Sequence, residues 1–272
     1  MAVTGAVVAH RARQGPQGPS KGSPLTLVYR NYAAYRRAWI AFLTGFFEPV
    51  LYLFSIGVGV GALVTGFDVG GHEIPYTEFV APAMLATAAM NGAVLDSTFN
   101  VFFKLKFQKV YEGVLATPMG TRDVGRGEVA WAVLRGGVYS VAFLVVMLVM
   151  GLVGSWWAVL VVPAALLTGF AFSAVGMGLT TFMRSWQDFE YIQLALMPMF
   201  LFSATFFPVT TYHGVVRWVV EATPLYRSVV LIRELCTGLL TMSSVVSVGY
   251  LLVMGVVGMV VVERRLNRLL LS

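Results

Sequence analysis

Residues 79–103 read as one predominantly apolar stretch that runs directly into a basic, amphipathic segment. A helix needs about 20 such residues to cross the hydrocarbon core of a bilayer, so this stretch is long enough to span one. Five further stretches repeat the pattern, at about 39–64, 128–153, 158–183, 191–209 and 239–262. The composition agrees: the 272 residues are 58% hydrophobic and 12% charged, with a mean hydropathy of +0.78. A soluble domain of this length cannot hide so much apolar surface. The chain therefore reads as an all-α membrane protein with six transmembrane helices.

Several spans carry helix breakers. The first contains Glu48-Pro49 and then Gly57, Gly59 and Gly61, and the fifth contains Pro198. Proline removes a backbone donor and bends a helix, and small residues let neighbouring helices approach closely. Residues 210–238 are too polar to span, yet hold two apolar runs parted by Pro224, the pattern of a shallow external re-entrant hairpin before the last span. Residues 65–77 read as a plain loop.

Residues 1–24 are rich in Gly, Pro, Gln and Ser and read as a disordered cytoplasmic tail, with the membrane domain over 25–272. No apolar run follows Arg11 and Arg13 that would suit a signal peptide. Between Leu25 and Ala38, basic and aromatic residues interleave. That pattern fits an amphipathic helix lying in the membrane interface, or simply the basic flank of the first span. Six crossings put both termini on one side. Arg30, Lys104, Lys106, Lys109, Arg122, Arg126, Arg184, Arg264, Arg265 and Arg268 all fall on that side, against Arg217, Arg227 and Arg233 on the other. Positive charge marks the cytoplasmic face, so the termini and the 104–127 loop are expected in the cytoplasm. The net charge of +6 thus speaks of lipid rather than nucleic acid.

No Walker A loop, HExxH, CxxC or GxSxG occurs, so no P-loop or matching catalytic motif is present. The single cysteine, Cys236, excludes an internal disulfide, and the histidines at 10, 72 and 213 match no metal-ligand spacing. Three ionisable residues lie inside spans: Glu48, Asp96 and Arg135. Charges at such depth either fix helix packing by pairing or contact cargo. Asp96 precedes Lys104 by eight residues and Arg135 follows Glu128 by seven, which puts both roughly 10–12 Å above the same membrane surface and predicts an ion pair. In the 104–114 segment, Phe107, Val110 and Val114 recur at helical spacing, the pattern of one apolar face.

These residues resemble a known family. EPVLYLFSIGVGVG at 48–61, APAMLATAAM at 81–90, DSTFNVFFKLKFQKVYEGVLATPMGTRDVGRGEVAW at 96–131 and TPLYRSVVLIREL at 223–235 are similar to ABC-2 type transporter permeases of the nodulation-factor exporter and daunorubicin-resistance branch. The resemblance implies that the loop after the second span is a coupling helix seated in a separate ATP-binding subunit. Lys104, Phe107, Lys109, Val110, Tyr111, Val114, Thr117 and Pro118 would then carry the contact. It also implies an amphipathic N-terminal helix, a second permease copy as homodimer or heterodimer partner, and ATP and Mg bound by the ATP-binding subunit rather than by this chain. The expected activity is export of an amphipathic drug, lipid or lipid-linked glycan across the plasma membrane. A stand-alone proton-coupled carrier using Glu48 and Asp96 is the alternative reading of the intramembrane carboxylates.

Overall fold

The computed structural model describes residues 22–35, 47–64, 66–69 and 71–271. Arg11, Arg13, Trp39, Phe42 and the first residues of the first expected span lie outside them. Helix α1 covers Pro24–Tyr35. Helix α2, Phe47–Gly61, carries a π-helical turn at Leu53–Val58. A β-hairpin follows, with Gly66–Val69 (β1) antiparallel to His72–Pro75 (β2). The expected plain loop is thus a hairpin, and Gly71 takes the positive φ (84°) that its tight turn demands.

Helix α3, Tyr76–Lys106, is the centre of the molecule. Its first four turns are rich in alanine and buried from Phe79 to Met90. Helix α4 is a single short piece, Val110–Leu115. Then come α5, Thr121–Val149; α6, Val161–Thr180, entered through a 3-10 turn at Trp156–Leu160; and α7, Asp188–Leu201. Two short helices, α8 (Val215–Ala222) and α9 (Pro224–Thr237), precede the long α10, Met242–Leu271.

Among the described residues, four stretches are long and apolar enough to cross a membrane: α3, α5, α6 with its 3-10 entry, and α10. The fifth expected span is shorter than its hydropathy suggested. Helix α7 stops at Leu201, past Pro198, and the chain turns at Ala204, a non-glycine residue with φ 55°. At 1.5 Å per residue its 14 residues reach ~21 Å, short of the ~30 Å hydrocarbon core. The third span begins earlier than expected, at Thr121, because the Gly120 N–H donates to Asp123 Oδ2 (2.9 Å) and caps the new helix.

Small residues set how tightly the long helices pack. A Cβ built on Gly92 of α3 would lie 2.8 Å from the Tyr139 ring of α5, and one on Gly136 would lie 3.0 Å from the Ala89 carbonyl oxygen. A Cβ on Gly258 of α10 would lie 2.8 Å from the backbone of Ala174 in α6. In lipid there is little hydrophobic drive between helices, so such close backbone approaches supply the packing energy. Within α3 the helix opens into a π-turn at Asp96–Asn100, which rests on α6 where Thr180 Oγ1 donates to the Ser97 carbonyl (3.2 Å).

Candidate functional site: a polar clamp beneath an exposed loop

The C-terminal end of α3 breaks at residues 107–109. Phe103 O accepts from both Phe107 N–H and Gln108 N–H, and Lys109 adopts a left-handed conformation (φ 49°, ψ 30°) before α4 begins. The predicted single face of Phe107, Val110 and Val114 is therefore interrupted. Phe107 stands 66% exposed, while Val110 and Val114 are half-buried. Lys106, Gln108, Lys109, Glu112, Gly113, Ala116, Thr117 and Pro118 are exposed around it. Lys109 and Glu112 lie 3.9 Å apart on the surface, a spacing that contributes little in water.

Two of the residues expected at this surface turn inward. Tyr111 is buried in the chain's own second hydrophobic cluster, packed with Leu27 of α1, Val124 and Val129 of α5, and Val262 and Leu266 of α10. Burial pushes its phenol well above the usual range, and the nearby Glu128 carboxylate adds to the shift. Lys104 is the second. Its Nζ donates to Glu128 Oε2 at 2.7 Å and to Asn31 Oδ1 at 3.1 Å. The physical reason is register: one turn before the break, position 104 faces α1 and α5, not solvent.

Glu128 is the hub that the sequence reading passed over. Besides Lys104 it accepts from Asn31 Nδ2 (2.9 Å) and Arg30 Nη2 (3.2 Å), so α1, α3 and α5 meet on one carboxylate. Its side chain is 2% exposed, against 13% for Lys104 and 35% for Arg30. One sequence signal existed: no other Asp or Glu occurs between Asp123 and Asp188, and Glu128 sits inside an apolar helix.

A second polar cluster lies two to three turns higher. Arg135 Nη1 donates to Asp96 Oδ1 at 3.0 Å, the pairing that matched depths predicted. Tyr35 Oη donates to the same oxygen (3.3 Å), Asn100 Nδ2 reaches both Asp96 and Tyr35, and Arg135 Nε donates to Tyr139 Oη (2.9 Å). Burial, reinforced by the Asp96 carboxylate, pushes the Tyr35 phenol up to about 12, which keeps it a proton donor. Glu48 does not join this group. It lies exposed on α2, on the wall of an open cavity of about 880 Å³ between α2, α3 and α7. That cavity is mostly apolar, with Asn91, Gln193, Thr87, Tyr52 and Tyr76 as its other polar side chains. Among the described residues, no group of three or more His, Cys, Asp or Glu could hold a metal ion.

The family profile for the ABC-2 type transporter matches residues 25–237, from α1 through α9, and so takes in both polar clusters and the loop between them. The chain belongs to the ABC-2 type transporter family. Among its relatives is nodulation protein J of Rhizobium leguminosarum bv. viciae, 31% identical over 246 residues, covering 88% of this chain and 93% of the relative. Nodulation protein J of Sinorhizobium fredii (strain NBRC 101917 / NGR234) is 35% identical over 207 residues, covering 75% of this chain and 77% of the relative. That of Rhizobium leguminosarum bv. trifolii is 34% identical over 212 residues, 77% and 79% of the two chains. As a member of this family the chain is a membrane permease component, a transport part and not itself a catalyst.

Proposed function

We propose that this chain is the membrane subunit of an ATP-driven exporter whose exposed 106–118 loop docks onto a separate ATP-binding subunit. The observation that carries this reading is the loop's setting. An exposed apolar and basic surface around Phe107 projects from a base pinned by Glu128 to three helices. A docking element must be exposed to meet its partner and stiff to pass on the partner's motion, and this one is both. ATP and Mg belong to the partner, because this chain has no phosphate-binding loop.

In this reading two copies of the chain work with two ATP-binding subunits in the plasma membrane. The chain crosses six times, counting α2 and α7, with both termini and the docking loop in the cytoplasm. Helix α1 then lies in the cytoplasmic interface, with Leu25, Tyr29 and Tyr32 exposed towards lipid and Leu27 and Asn31 turned inward. Helices α8 and α9 form the external segment. Nucleotide binding biases a two-state shift of the spans around a cargo pathway. The cavity beside Glu48 suits an amphipathic cargo such as a drug, a lipid or a lipid-linked glycan, since its wall is apolar with few polar groups. The proton-carrier alternative gains nothing from the geometry: Glu48 faces the cavity, and Asp96 is engaged with Arg135 away from it.

The test is co-purification with a separate ATP-binding subunit, and stimulated ATP turnover of the complex. Burying a phenylalanine is worth roughly 1.5–3 kcal/mol, so Phe107→Asp should lower the recovered complex at least tenfold. Undiminished recovery and turnover would refute the docking role of this surface.

A further inference from the structure

The docking loop is joined to more than the polar clamp. Phe107 stacks on Phe103, with ring centroids 5.3 Å apart and planes 27° from parallel. Phe103 meets Trp186 edge-on at 5.3 Å. Phe99 touches Trp186 at 4.9 Å and Phe189 at 5.1 Å, and Phe102 meets Phe189 at 5.2 Å. Trp186 and Phe189 close the set at 5.5 Å. Four of these rings belong to the last turns of α3 and the break after it. The other two sit at the entrance to α7.

Helix α7 is unusual in this fold because it buries no residue. It stands between two cavities. Leu196, Met197 and Phe200 line the 880 Å³ cavity, while Ile192, Ala195 and Met199 line another of about 530 Å³. A helix with open space on both sides has little packing to fix its position, so whatever grips its end governs where it lies. The rings grip its cytoplasmic end. Phe99 also belongs to the π-turn at Asp96–Asn100, and π-turns are local defects at which a helix can change register. The opposite face of the same segment is pinned, since Asp96 is held by Arg135.

From this geometry we infer that the six-ring cluster is the link that carries movement of the docking loop to α7, and through α7 to both cavities. Trp186 and Phe189 act as positioning residues: they touch neither the docking surface nor the cavity beside Glu48, but couple one to the other. The inference rests on the docking reading for the source of the movement. The ring contacts and the lack of buried residues in α7 are independent of it.

The experiment places spin labels on Leu194 of α7 and Val138 of α5, both exposed positions, in the full chain in lipid nanodiscs. The wild type should give one narrow distance distribution, which narrows or shifts again when the ATP-binding subunit and ATP are added. Trp186→Leu with Phe189→Leu should broaden the distribution at least twofold in the chain alone. With the subunit present, it should cut the ATP-driven shift by at least half while recovery of the complex stays at the wild-type level. Trp186→Phe with Phe189→Tyr, which keeps six rings, should restore both readouts. A purely structural role would lower yield without changing the width in the protein that remains folded. An unchanged width and an unchanged shift in the leucine variant overturn the inference. If instead Phe107→Asp leaves recovery of the complex intact while the leucine variant still broadens α7, the docking reading falls and the link between α3 and α7 stands.

Discussion

Replacing Glu128 by alanine removes a buried carboxylate on which α1, α3 and α5 converge. Lys104 would keep its ammonium at 13% side-chain exposure with only Asn31 Oδ1 as acceptor, and Asn31 Nδ2 would lose its acceptor. Breaking a buried pair from one side costs about 3–5 kcal/mol, because the remaining charge stays desolvated. Arg30 adds little, since at 35% exposure it can turn to water, and exposed pairs are worth about 0–1 kcal/mol. The expected loss for Glu128→Ala is therefore about 3–5 kcal/mol, and for Arg30→Ala about 1 kcal/mol or less. Lys104→Met in the Glu128→Ala background should recover part of the loss, because no charge is then stranded. The coupling in that double-mutant cycle should fall within about 0.5–3 kcal/mol. Steric trapping in bicelles gives the unfolding free energy directly, and docking to the ATP-binding subunit can be followed on the same variants. A Glu128→Ala chain within about 0.5 kcal/mol of wild type, the range of ordinary surface changes, would show that the carboxylate is not the hub described.

Asp96→Asn and Arg135→Gln should each destabilise the protein in the same assay, and the double change should cost less than their sum; strict additivity would remove the pair. Gly258→Ala should cost about 1–3 kcal/mol, because the added carbon meets the Ala174 backbone at 2.8 Å, whereas Gly249→Ala, with nothing within 4 Å, should be neutral by thermal unfolding in detergent. A cysteine at exposed Glu73 should react with an impermeant thiol probe in intact cells, and one at Gly113 only after permeabilisation; the native Cys236 is buried and gives no background. Labelling of Gly113→Cys from outside would invert the proposed orientation.

Much of this architecture could be read from the chain because a bilayer leaves few choices. Apolar runs of span length marked α3, α5, α6 and α10, and counting residues from the basic ends placed Asp96 opposite Arg135. What the pattern could not give was azimuth. Lys104 counts as one more cytoplasmic charge in any hydropathy plot. Whether it points to solvent or to Glu128 depends on the turn of α3 and on the partner helix 24 residues further along the chain. The stripe of Phe107, Val110 and Val114 failed for a local reason, the left-handed Lys109, which no periodicity reveals. The end of α7 was overrun because residues 202–209 remain apolar after the helix has stopped. Hydropathy reports what a segment dissolves in, not whether its backbone stays helical. The ring cluster was invisible because Trp186 and Phe189 lie over 75 residues from the rings they meet.

The Glu128 hub also sets an order of events during synthesis. Asn31 and Arg30 leave the ribosome 97 and 98 residues before the carboxylate they serve, and Lys104 leaves 24 residues before it. At ~5–20 residues per second, α1 waits about 5–20 s for its partner. During that interval its amide and guanidinium must stay hydrated, so α1 cannot bury them before α5 arrives. Only when the start of α5 emerges can the three segments lock. Translation thus delivers the fastener last, and a nascent chain halted before residue 128 would hold a membrane-inserted α3 with α1 still free.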